Sequence, residues 1–165
     1  MAELGRLYLE GSGVGTPNHQ AAHRWLLRAA EAVEGQAMMD LAWLLSESES
    51  LPRDYFEAAH WYRKAVEESG CFDAYLRLGS FHLNGQGVRK SAQEAYRWFS
   101  LGYASLARFP VHDAADQEEL AKFSKACDQA RQRLSDREMT EVETLLAEEK
   151  RKRHFDQPIS FGVDD

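Results

Sequence analysis

"NGQGVRKS", residues 84–91, sets two glycines, a basic pair and a serine in front of a helical pattern. Two readings compete for it: a loop that cradles a phosphate, or a turn between two helices. A phosphate loop follows a strand, spaces its glycines more widely and runs Gly-Lys into Ser or Thr. Here Arg89 precedes Lys90 and a helical pattern comes before the loop. The same unit also stands 74 residues earlier: Gly11-Ser-Gly13-Val14 mirrors Gly85-Gln-Gly87-Val88, with no lysine behind it. Midway between Val14 and Val88 lies Leu51, and there the glycine positions hold Ser48 and Ser50. A loop whose chemistry changes while its apolar anchor persists serves shape. Its glycines close a helix in the left-handed conformation, and Val14 or Val88 pins the turn to the core.

The rest of the register follows from that anchor. Leu4, Leu41 and Leu78 share one position; Gly5, Ala42 and Gly79 share the next; Leu7, Leu44 and Phe81 come two further on. Trp25, Trp61 and Trp98 align as well, each with an alanine three residues before it (Ala22, Ala58, Ala95). Three units of 36 to 37 residues therefore cover positions 1 to 104. Each unit reads as helix, turn, helix, because Leu4, Leu7 and Tyr8 share one face at a 3.6-residue period. Seven residues before each tryptophan stands a helix-capping type, Asn18, Asp54 or Ser91. Glu57 and Glu94 sit where a reciprocal capping box would need them. The small residues at each shared position let paired helices approach closely. Recurrence places the three tryptophans in the core.

The bulk numbers agree. The chain has 165 residues, 44% of them hydrophobic, and a net charge of −7. This suits a folded unit with a substantial core and argues against nucleic-acid binding, which needs a basic face. No run of about 18 apolar residues offers a membrane span. MAELGRLYLEG, at residues 1–11, lacks the pattern of a signal peptide, so a cytoplasmic location is expected. Cys71 and Cys127 are too few for a disulfide framework or a four-cysteine zinc site. Strand-like alternation is absent. The expected fold is all-α: a right-handed α/α superhelix of three helix-turn-helix repeats closed by C-terminal helices. The expected boundaries are 1–34, 35–69 and 70–106 for the repeats, 107–153 for the closing helices, and 154–165 for a flexible or docking tail.

With "LGRLYLEGSGV" and "AAHRWLLRAAE", and again "LRLGSFHLNGQGV" and "EAYRWFSLGYA", the chain resembles the Sel-one-like repeat family, cousins of the tetratricopeptide repeat. The resemblance covers about two thirds of the sequence. It implies a solenoid that binds proteins or peptides as an adaptor, without catalysis of its own. "AYRWFSLGYASL" and "LSDREMTEVETLLAEE" resemble the closing helices of bacterial members.

At the C-terminus one helix is expected from about Asp113 to Arg133, with Leu120, Phe123, Cys127, Ala130 and Leu134 in one stripe. Another is expected to begin at Ser135 as N-cap with Glu138 in a capping box, presenting Met139, Val142, Leu145 and Leu146. They close the stack or form a dimer face. Lys150 to His154 also resemble a nuclear-localisation signal, but suit the dipole at a helix end. Phe155, Ile159 and Phe161 give the tail docking capacity. The short lead-in to the first helix suggests a piece of a longer array or a trimmed start, with that helix frayed or covered by another molecule.

In stacked helical hairpins the first helix of each unit lines the concave face. Residues there that packing does not require are the candidates for partner binding: Arg6, Trp43 and Ser80, two positions past the shared leucine; Met39 and Leu76, with Ala2, two before it; and Leu9, Glu10, Leu83 and Asn84 further along. Trp43 stands out because the repeat does not call for an aromatic there, and tryptophan, like arginine, anchors interfaces. His19 and His23 stand four apart at a solvent-facing helix start, but lack a third metal ligand. His60 and His82 join no acid–base constellation. No catalytic, cofactor or metal residue is assigned. The expected function is a protein- or peptide-binding adaptor, with no nucleic acid or membrane partner. The alternatives are an assembly domain, including a homodimer through the terminal helices or tail, and a hydrolase without a recognisable motif.

Overall fold

The computed structural model describes residues 1–12, 15–109 and 114–153. Those residues form eight helices: α1 (Ala2–Glu10), α2 (His19–Glu31), α3 (Gly35–Glu47), α4 (Tyr55–Ser69), α5 (Phe72–Asn84), α6 (Ala92–Leu106), α7 (Ala114–Arg131) and α8 (Asp136–Lys152). The anchor Val14, the position Asp113 and the tail 154–165 lie outside the described residues. Among the described residues there is no strand, and no helix is long and apolar enough to cross a membrane.

Helices pair in sequence as three hairpins, α1–α2, α3–α4 and α5–α6, and the second helix of each unit packs on the first helix of the next. One backbone hydrogen bond recurs in every elbow. The N–H groups of Asn18, Asp54 and Ser91 donate to the carbonyls of Tyr8, Leu45 and His82, at 2.8, 2.9 and 2.9 Å. The same three residues cap their helices, each side chain accepting from the N–H three residues on. The reciprocal half of the expected boxes at Asp54 and Ser91 is absent, because the glutamates are engaged elsewhere. Glu57 accepts from Trp61 Nε1, and Glu94 from the Arg97 guanidinium. The full box forms at Ser135 and Glu138, the Glu138 carboxylate accepting from both the N–H and the hydroxyl of Ser135.

Close approach explains the small positions. A Cβ on Gly79 would lie 2.2 Å from the Phe99 ring, so α5 and α6 meet there at a distance only glycine permits. Gly85 ends α5 with φ +76°, its N–H bonding to Phe81 O at 2.7 Å. The middle elbow solves the same problem without glycine. Ser48 leaves α3 in extended conformation, and its hydroxyl oxygen accepts from the N–H groups of Ser50 and Leu51 at 3.2 Å each. Its hydrogen is then left for His19 Nδ1, 2.8 Å away on the preceding unit. His19 is therefore half-buried and engaged, a correction to its expected solvent position.

Trp61 and Trp98 are in the core, whereas Trp25, expected there too, is a correction: it is only half-buried and stands outside the buried core clusters. Each indole carries a cation on its face: Arg28 on Trp25, Lys64 on Trp61 and Arg97 on Trp98, between 4.6 and 5.6 Å from the ring centre. α7 and α8 both pack on α6. Phe123 and Ala130 of α7 are fully buried, and Met139, Val142 and Leu146 of α8 join the core. Leu145, expected in that stripe, is 60% exposed, because α8 turns it outward from α6. Arg97 fixes α8 through Glu149 at 2.6 Å, and Arg153 reaches the Tyr75 hydroxyl at 3.4 Å. The arrangement is an all-α helical-repeat superhelix.

Candidate interaction groove

Along the layer of first helices, α1 touches α3 and α5 touches α7. Between α3 and α5 the layer opens into a groove of about 530 Å³, lined by Gln36, Met39, Asp40, Trp43, Tyr62, Asp73, Leu76, Arg77 and Ser80. Its two walls are the same helical face in successive units. Gln36 and Asp73, Met39 and Leu76, Asp40 and Arg77, Trp43 and Ser80 are pairs 37 residues apart. Each wall follows the spacing i, i+3, i+4, i+7, which puts its four residues on one helix face. A second depression of about 380 Å³ shares Gln36, Met39 and Asp73 and extends the opening toward Cys71, Phe72, Leu106 and Glu119.

Four of the sequence-derived candidates line this groove: Met39, Trp43, Leu76 and Ser80. Trp43 is 39% exposed, in contrast to 5% for Trp61 and 4% for Trp98. Arg6 stands at the rim, its Nε 3.8 Å from Asp40 Oδ2 and its Nη2 3.8 Å from Glu10. Leu9 packs against the core, and Asn84 is exposed at the last residue of α5. Leu83 is a correction. It is only 7% exposed, enclosed with Ala95, Phe99 and Ala130 once α7 covers the third unit, so packing consumes it.

The polar side chains of the groove are unequally satisfied. Asp40 Oδ1 accepts from Gln36 Nε2 at 2.9 Å, whereas its buried Oδ2 has no hydrogen-bond partner. Burial pushes the Asp40 carboxyl above the ordinary carboxylate value; the Gln36 hydrogen bond and Arg6 act against it, and Glu10 adds to it. Arg77 is tied to Glu47 at 3.4 Å. Burial likewise raises the Tyr62 phenol. Sequence reading passed over Gln36, Asp40, Tyr62, Asp73 and Arg77. The signal for the four wall residues was the repeat register itself, carried one position after and three positions before Met39 and Leu76. Nothing in the pattern marked Tyr62, which belongs to a second helix.

The loop at 84–91 hands its Arg89 carbonyl to His82 Nδ1 at 3.2 Å. Among the described residues, no group of three or more His, Cys, Asp or Glu side chains converges in a way that could hold a metal ion.

Comparison with known proteins agrees with this geometry. The chain superposes on a protective antigen of uropathogenic Escherichia coli strains that displays an SLR fold. The TM-score is 0.72 at 24% identity, over 92% of this chain and 29% of the antigen. It also resembles a Sel1 repeat protein from Oxalobacter formigenes, with TM-score 0.57 and 26% identity over 76% of this chain and 59% of that one. The chain thus spans less than two thirds of the length of either relative. The family model described as "Sel1 repeat" matches three times, at residues 1–33, 35–69 and 72–105. With that model covering more than half of its residues in three consecutive copies, the chain belongs to the Sel1 repeat family.

Proposed function

We propose that the protein is a non-catalytic adaptor that binds a peptide or protein segment in the groove between α3 and α5. Sel1 repeat proteins are in general protein-interaction scaffolds. The observation that carries the reading for this chain is Trp43. An indole left 39% exposed beside Met39 and Leu76, at a register position that holds Arg6 and Ser80 in the other units, serves no packing role that the repeat requires. Exposed aromatic and methionine side chains in a groove are the composition of an adaptable protein-binding surface.

The test is affinity capture by the intact chain and by the double variant Trp43→Ala, Arg6→Ala, with captured proteins quantified by mass spectrometry. The reading expects a discrete set to be lost from a variant whose helical circular dichroism is unchanged. The same set captured in the same amounts would sink it.

A further inference from the structure

The charges lining the groove say which kind of segment it takes. Asp40, Asp73 and Glu119 are acidic, and Arg77 is the cation. Two of these are already engaged: Arg77 by Glu47, and Glu119 by Lys122. Asp40 is paired more loosely, with Arg6 at 3.8 Å, and Asp73 has no ion pair among the described residues. Asp40 keeps a buried oxygen without a donor, since Arg6 approaches no nearer than 3.8 Å. Asp73 is exposed in the first turn of α5, where the helix dipole favours a carboxylate. Beside these two acids lies the apolar surface of Trp43, Met39 and Leu76.

We infer that the groove takes an extended segment in which an apolar side chain is followed within a few residues by lysine or arginine. The apolar side chain lies on Trp43, Met39 and Leu76, and the cation is received by Asp40 and Asp73. This rests on the groove reading above and deepens it. An arriving ammonium or guanidinium meets the exposed Asp73 carboxylate directly, in the field of the more enclosed Asp40, and such charge-assisted bonds are the strong ones. A cation beside a partly buried carboxylate also favours its charged form, against the burial that raises its proton affinity. The same charge argument disfavours two other occupants. The chain's own residues 154–165 carry Phe155, Ile159 and Phe161 but also Asp156, Asp164 and Asp165, and a second copy brings a net charge of −7. Like charges across an interface suppress association.

The test uses fluorescein-labelled dodecapeptide pools. Each fixes one leucine and, a few residues on, lysine, glutamine or glutamate, with the remaining positions drawn from Ala, Ser, Thr and Gln. A fourth probe is the peptide of residues 154–165. Binding to the intact chain is read by fluorescence anisotropy at about 0.05 M and about 0.5 M salt. The expected result is that the lysine pool binds about tenfold or more tighter than the glutamine pool, with the gap narrowing at high salt. The isosteric double variant Asp40→Asn, Asp73→Asn closes the gap, while Trp43→Ala weakens both pools together. Equal binding of the lysine and glutamine pools overturns the charge inference, and if Trp43→Ala still abolishes both, the groove reading stands alone. Tighter binding of the glutamate pool or of the 154–165 peptide overturns the inference, as does a gap that survives in the Asp variant or the absence of binding by every pool. Binding untouched by Trp43→Ala overturns the groove reading instead.

Discussion

Trp61 and Trp43 sit on the two helices of one hairpin in opposite surroundings. Trp61 recurs in register with Trp25 and Trp98, is 5% exposed, and shares its ring face with Lys64. Trp43 has Arg6 and Ser80 as its counterparts and is 39% exposed at the edge of an open groove. Residue type alone does not separate the two; register does. In a stacked array each unit buries the same face against its neighbours, so packing repeats and a side chain that departs from the repeat is free for another use.

The sharpest way to break this contrast is to truncate a recurring indole. Trp98→Ala removes a buried ring under the Arg97 guanidinium and should cost about 3–5 kcal/mol in urea unfolding. A loss below about 1 kcal/mol would show that recurrence does not mark the core. Next comes the small position. Gly79→Ala sets a methyl group 2.2 Å from the Phe99 ring and should cost about 1–3 kcal/mol. Ser80→Ala, one residue along and in the groove, should stay within about 0.5 kcal/mol, and similar losses for the two would erase the distinction between faces. Removing a recurring cap is milder. Ser91→Ala forfeits the bond to Glu94 N–H and should lower stability by about 1 kcal/mol.

The least effect is a pH dependence at His82, which is buried where the other units hold Tyr8 and Leu45. Burial depresses its imidazole below 6.5, against the opposing pull of the Arg89 carbonyl and Glu94, while Arg63 and Arg97 add to the depression. The unfolded chain therefore takes up this proton first. Stability present above pH 6.5 is lost as the pH falls from there through the folded value. Urea midpoints measured between about pH 7 and about pH 5 should fall less steeply for His82→Gln than for the unaltered chain.

How much of this was legible in the sequence depended on what repeats. The elbow at residues 84–91, the three caps and the burial of Trp61 and Trp98 follow from register, because each solves a problem that the hairpins share; Trp25, in the same register, is only half-buried. Three features escaped for local reasons. Leu83 shares the spacing of surface residues but is enclosed by α7, a helix outside the three repeats. The boxes at Asp54 and Ser91 stay half-formed because Trp61 and Arg97, one turn along, compete for the glutamates. Leu145 fits the apolar stripe of α8 but faces away from α6, since the stripe is broader than the contact. In the groove, Asp40 and Arg77 were within reach of the same register, whereas the spare oxygen of Asp40 is visible only once Gln36 and Arg6 are in place.

The contrast between the two indoles is tested most directly by urea unfolding of Trp43→Ala and Trp61→Ala side by side. Loss of the buried ring should cost Trp61→Ala about 3–5 kcal/mol. For Trp43→Ala the partial burial lost is offset in part by the better helix propensity of alanine, leaving a cost of about 1 kcal/mol or less. Equal losses in the two variants would make Trp43 a core residue and remove the observation that carries the proposed groove.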